Sequence, residues 1–154
     1  MRPSTNNAQP AATPPGRSRA PRRADADAPP TPERATSRSK AVGDYGERLA
    51  ERKLVAGGLT LLDRNFTDPS GEIDLVLRDG DTLVVCEVKT RSSEVGGSPL
   101  EAVDEEKVSR LRRLAAVWLA AHPGVRPDGI RIDLVGIRLP RRGAPIIDHV
   151  CGVG

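Results

Sequence analysis

Apolar residues along this chain recur with two different periods, and the change of period marks out its elements. From residue 42 onward, Val42, Tyr45, Leu49, Ala50, Leu54 and Ala56 fall on one arc of a helical wheel. This predicts a helix over 43–56, stopped by Gly57-Gly58. The period then drops to two. Residues 59–65 read as a strand, followed by a turn at Asp68-Pro69-Ser70-Gly71. Residues 72–78 and 82–89 read as two strands around Asp79-Gly80, a strong hairpin signal. A Ser- and Gly-rich loop over 91–99 leads to a long helix over 100–122, closed by Pro123 and Gly124. Residues 130–139 alternate as a strand, and 146–150 form a short last one. The order α-β-β-β-α-β-β predicts an α/β fold, a mixed sheet flanked by helices. No internal repeat is present.

Before residue 42 neither period exists. Residues 1–40 hold 8 of the 14 prolines and contain no Val, Ile, Leu, Phe, Trp, Tyr or Cys. Such a segment cannot bury enough apolar surface to offset its chain entropy, so a disordered tail is expected over 1–40 and a single domain over 41–154. Charge divides along the same line. The tail has eight Lys or Arg against three acids, a net +5, and the remainder 16 basic against 18 acidic residues, a net −2. The basic balance therefore belongs to the tail, which reads either as a salt-sensitive arm for nucleic acid or as a solvated segment without a fixed partner.

Other classes are disfavoured. The N-terminus lacks the apolar core of a secretory signal, and its prolines and acids argue against an amphipathic transit peptide. The apolar run over 114–121 is too short to span a bilayer. Cys86 and Cys151 have neither metal-type spacing nor the number for a disulfide framework, and Cys86 reads as a small buried residue. A cytoplasmic protein with no membrane partner is expected.

The hairpin carries the candidate chemistry. With a two-residue Asp79-Gly80 turn, Ile73, Leu75 and Leu77 share an apolar face with Val84, Cys86 and Val88. The opposite face then carries Glu72, Asp74, Val85, Glu87 and Lys89, with Asp74 and Glu87 as diagonal neighbours. A turn centred on Gly80-Asp81 would instead set those two carboxylates directly opposite. Like charges so placed repel, and three arrangements compensate: salt bridges to Lys89 and nearby arginines, a shared proton, or a divalent cation such as Mg²⁺ or Mn²⁺. Lys89, two residues after Glu87, projects to the same side, and a metal beside an ammonium suits phosphodiester hydrolysis. The Val88 carbonyl is a further candidate ligand. Lys107, on the expected core stripe of the second long helix, either snorkels or meets a phosphate, and Arg91 is either a surface arginine or a phosphate contact. Arg131 and Asp133 share a strand face and are expected to pair.

Asp74 followed by Glu87-x-Lys89 after an Asp-Gly hairpin resembles the PD-(D/E)xK nuclease motif. The ordered pieces "GDYGERLAE" (43–51), "LLDRNF" (61–66), "GEIDLVLRDGDTLVVCEVKTRSS" (71–93), "EKVSRLRRLAAVWL" (106–119), "RIDLVGI" (131–137) and "DHVCG" (148–152) together resemble the YraN family. The resemblance implies a restriction-endonuclease-like core related to Holliday-junction resolvases. It implies Asp74 and Glu87 as metal ligands, Lys89 as the residue that positions or activates water, and Glu47 as an auxiliary acid. It covers nearly all of 43–152 and none of the tail. The expected function is a metal-dependent endonuclease acting on DNA, with a non-cleaving nucleic-acid-binding module of the same fold as the alternative. An acidic interaction surface for basic partners is a third reading. With three aromatic residues in the chain, phosphate contacts to duplex or branched DNA are expected over base stacking. A two-fold homodimer would suit a four-way junction.

Overall fold

The strand-forming stretches are rich in Val, Ile and Leu, and those at the centre of the fold are apolar on successive residues. Ile73, Leu75, Val76 and Leu77 are all buried, as are Leu83, Val84, Val85 and Cys86. Strands of this kind need cover on both faces. A computed structural model, which describes residues 32–92, 98, 100 and 104–154, supplies it. Its elements are α1 (Pro32–Ala56), β1 (Thr60–Asp68), β2 (Gly71–Asp79), β3 (Thr82–Arg91), α2 (Glu105–Ala121), β4 (Gly129–Arg138) and β5 (Ile146–Val150). The five strands form one mixed sheet in the order β1-β2-β3-β4-β5, with β3 and β4 parallel and every other pair antiparallel. The parallel pair is joined through α2, as a crossover requires. The α/β class and all seven expected elements are present.

Each face of the sheet has its own core. Leu75, Leu77, Val84, Cys86, Val135 and Ile137 pack with Ala50 and Leu54 of α1. On the other face, Ile73, Val76, Leu83, Val85 and Ile132 pack with α2, whose buried residues include Leu111, Leu114 and Trp118. The hairpin therefore has no polar outer face. The sequence expectation of one apolar and one charged side fails because Val76, Leu83 and Val85 lie under the second helix.

α1 differs from expectation at both its start and its buried stripe. It begins at Pro32 rather than at 43, taking in residues assigned to the tail. Pro is well placed at a helix start, where its missing N–H is not needed, and Glu33 suits the first turn. Residues 32–40 are all exposed, so local propensity holds them and the core does not. Missing apolar residues indicated exposure there, not conformation. The expected disorder of residues 1–31 lies outside the described residues. Further along, Gly46, Ala50 and Leu54 are buried, whereas Tyr45 is 40% exposed. The stripe is narrow because the helix sits close on β3: a Cβ added at Gly46 would lie 1.8 Å from Thr90 Oγ1 and 2.9 Å from Thr90 Cβ.

α2 starts at Glu105 and not at 100, because Asp104 caps it: the Asp104 carboxylate accepts the Lys107 N–H at 2.7 Å. Trp118 is buried at the centre of its core, donates from Nε1 to Asp63 Oδ2 at 2.8 Å and stacks on His122. Among the described residues no helix is long and apolar enough to cross a membrane.

Candidate active site at the fork between β2 and β3

Hairpin register decides where the carboxylates go. Asp79 pairs with Thr82 and Leu77 with Val84, so the turn is centred on Gly80-Asp81. Gly80 takes the first central position with φ +58°, a left-handed value that glycine adopts freely. Of the two registers read from the sequence, this is the one that brings Asp74 and Glu87 to the same level. The β2–β3 ladder nevertheless stops at Leu75–Cys86, one residue short of them. β2 stays with β1 as far as Gly71, and β3 stays with β4 as far as Arg91. The sheet therefore forks, and Asp74 stands in the crotch. Its carboxylate takes over the next rung: Asp74 Oδ2 accepts the Val88 N–H at 2.7 Å. The alternation of β2 also changes there, which is why Ile73 joins the α2 core and not the α1 core of Leu75.

Asp74 is 8% exposed and forms no ion pair among the described residues. Burial pushes its carboxyl up to about 7 against the pull of the Val88 N–H, and the charges of Glu87, Glu47 and Glu72 push the same way. Glu47 directly follows Gly46, the point of closest α1–β3 approach, and acts on this group from the helix side. Its carboxyl is raised by burial, opposed by a hydrogen bond from Asn65, and raised further by Asp44 and Glu72. The charges of Glu47, on α1, and Glu87, on β3, thus both act on Asp74.

Glu87 and Lys107 form an ion pair at 2.6 Å, with side chains 17% and 22% exposed. Lys107 therefore neither snorkels out nor joins the core stripe, which runs through Val108, Leu111, Leu114 and Trp118. The N-cap fixes the first turn of α2 beside the fork and delivers the ammonium to Glu87. By strand alternation Lys89 projects to the same face as Glu87; it is exposed and has no ion-pair partner among the described residues. Arg91 continues that row, half-buried, with Nε buried and unpartnered among the described residues. Val88 enters the site through its N–H.

Two contributors lie outside the motif. Glu72 stands two residues before Asp74, so its proximity is legible as spacing. Asn65 is not legible. It is the one non-glycine residue with positive φ (52°) among the described residues, and it lies in β1 between the Arg64–Leu75 and Phe66–Ile73 pairings, across from Asp74. Strain of this kind concentrates at functional positions, and Asn tolerates it better than most residues. An open cavity of about 390 Å³ between α1 and β1 is lined by Lys40, Asp44, Glu47, Arg64 and Asn65 and touches β2 at Leu75, the residue after Asp74.

Relatives of this chain match about three quarters of its length. It is 58% identical over 113 residues to a UPF0102 protein of Kineococcus radiotolerans, a match covering 73% of this chain and 93% of the relative. It is 59% identical over 120 residues to a UPF0102 protein of Nocardioides sp., covering 78% and 96% of the two chains. A UPF0102 protein of Streptomyces coelicolor is 54% identical over 114 residues, covering 73% and 88%. The family model of the Uncharacterised protein family UPF0102 matches residues 46–137, the span from the close α1–β3 contact through the fork to the penultimate residue of β4. The chain belongs to the UPF0102 (YraN) family.

Proposed function

We propose that this protein is a metal-dependent nuclease of restriction-endonuclease-like architecture that hydrolyses phosphodiester bonds in DNA. The observation that carries the reading is Asp74, a buried carboxylate with no cationic partner among the described residues, held at a sheet fork and faced by Glu87, Glu47 and Glu72. Crowded hard oxygen donors fit Mg²⁺ or Mn²⁺, and the one ammonium paired there among the described residues, Lys107, reaches Glu87 and not Asp74. Asp74 and Glu87 would hold the ion, with the Val88 carbonyl as a further candidate. A divalent ion held by these residues would supply Lewis-acid polarisation of a phosphate and a water of lowered pKa. Lys89, exposed on the Glu87 face, stabilises charge developing on the phosphate and positions the attacking water. Glu47 completes the acidic group from α1. Lys107 and Arg91, on the same side, contact flanking phosphates. Of the three aromatic residues, Trp118 is buried and Phe66 packs against the α2 core, which favours phosphate contacts over base stacking.

The test uses the full chain with labelled duplex, single-stranded, flap and four-way-junction DNA, with and without Mn²⁺. Asp74→Asn, which keeps an acceptor for the Val88 N–H, and Lys89→Ala serve as controls. Metal-dependent cleavage by the unmutated protein and its loss in both variants is the expected result. Equal cutting by all three, or none, overturns the enzyme reading. Salt-sensitive DNA binding that survives Asp74→Asn would then favour the non-cleaving module.

A further inference from the structure

A second group of ligating side chains lies on the sheet away from the fork, where β4 meets β5. Val135 pairs with His149 across the two strands, and Asp133 precedes Val135 by two, so both side chains lie on one face. The chain beyond β5 is tied back to β4, with the Val153 N–H donating to Ile132 O at 2.9 Å and the Gly152 N–H to Asp133 Oδ1 at 3.0 Å. Cys151 is therefore fixed from both sides. His149 Nε2 lies 2.9 Å from Asp133 Oδ2 and 3.4 Å from Cys151 Sγ, and one donor atom from each of the three residues lies within 4.8 Å of the others.

We infer that Asp133, His149 and Cys151 form a zinc site with three protein ligands and a fourth position open to solvent. A thiol, an imidazole and a carboxylate are the donor types that Zn²⁺ takes. At Zn–N and Zn–O distances of about 2.0–2.2 Å and a Zn–S distance of about 2.3 Å, tetrahedral donors stand roughly 3.3–3.7 Å apart. The observed 2.9 and 3.4 Å separations need to open by only a few tenths of an ångström. Cys151 is exposed, which leaves room for a water in the remaining position.

Arg131 is the obvious objection, because its Nε donates to Asp133 Oδ1 at 2.9 Å and its Nη2 to Oδ2 at 3.1 Å. Oδ2 takes only the longer of the two bonds, and its other lone pair, which now faces His149 Nε2 at 2.9 Å, is the one a metal would use. Arg131 is also matched on its far side, where Nη1 donates to Asp79 Oδ2 at 2.8 Å. With Asp79, Asp133 and the Cys151 thiolate negative, one guanidinium and one Zn²⁺ leave the cluster neutral, so neither cation is stranded. Binding moves the His149 proton from Nε2 to Nδ1 and releases the thiol proton to solvent. The Arg131–Asp133 bond then acts as an outer support that orients the carboxylate toward the metal.

The inference is independent of the nuclease reading, and the experiment keeps the two apart. The full chain, freed of metal under reducing conditions, is titrated with Co²⁺ and then Zn²⁺. One thiolate-bound Co²⁺ per chain is expected, read from an intense thiolate-to-metal absorption band that Zn²⁺ abolishes; Co²⁺ taken up at the fork adds no such band. The band is expected to persist in Asp74→Asn, which alters only the fork, and to vanish in Cys151→Ser. Stoichiometric Zn²⁺ raises the melting temperature of the unmutated chain and not of Cys151→Ser. Cobalt binding without the band, or a band that survives Cys151→Ser, overturns the site.

Discussion

Asp74 and Asp133 are both carboxylates buried in the same sheet, 8% and 0% exposed, and they are treated oppositely. Asp133 has Arg131 on both oxygens, the Gly152 N–H and His149. Burial pushes its carboxyl up, but Arg131, the Gly152 N–H and His149 outweigh that and hold it below the ordinary range. Asp74 has a single N–H and three acidic neighbours, and burial wins. Burial alone therefore does not say what a buried acid is for; its partners do. The charge of Asp133 is answered by the protein before any ion arrives, so the carboxylate is held in place whether or not a metal joins it. The charge of Asp74 is left for something else to answer.

The largest effect is expected at the answered site. Asp133→Asn should lower unfolding free energy by about 2–4 kcal/mol, at the lower side for a broken buried pair because Arg131 keeps Asp79 and some water. Chemical denaturation reads this directly. The opposite sign is expected at the fork. Without divalent metal at pH 8, Asp74→Asn should stabilise the protein by on the order of 2 kcal/mol, since a buried uncompensated charge is removed and the Val88 N–H keeps its acceptor.

The two sites also differ in pH dependence. Because Asp74 is raised from 3.8 to about 7, its contribution to stability is full below about 4 and is lost as pH rises through 7. Asp133 is lowered, so its contribution is present above the unfolded value and is lost as pH falls through the folded one. Melting temperatures from pH 2 to 8 should show the fork's slope between pH 4 and 8 disappear in Asp74→Asn while the loss below about pH 4 remains. A smaller effect is expected at Glu87. Lys107→Met should cost roughly 1–2 kcal/mol, discounted for the pair's partial exposure, and added Mg²⁺ should recover part of it if Glu87 is a ligand. Arg78→Ala, at an exposed pair with Asp81, should change stability by less than about 0.5 kcal/mol. It calibrates what an ion pair outside both sites is worth.

The sequence made the elements legible because their periods are strong, and it made Asp74, Glu87 and Lys89 candidates because strand alternation placed them near one another. It did not reveal that the hairpin is buried on both sides. Val76, Leu83 and Val85 interrupt a charged face only once α2 lies over them. It left the turn position open between two registers, which one glycine φ decides. Asn65 carried no signal, since a left-handed backbone inside a strand depends on the fork it borders. Lys107 was placed by its helix's cap, a tertiary matter once Asp104 fixes where the first turn begins. Asp133 was read as Arg131's partner, which it is, but His149 and Cys151 joined it only through the β4–β5 pairing.

The rung that Asp74 completes has a consequence for how this family can change over time. The carboxylate serves the ladder through one oxygen, so under the proposed function a lineage that lost the reaction would still need an acceptor at position 74. Alanine there removes the rung together with the proposed ligand, whereas asparagine removes the proposed ligand alone. A decayed relative should therefore come to rest on asparagine, and that residue at the fork would mark a descendant that keeps the architecture after the reaction has gone.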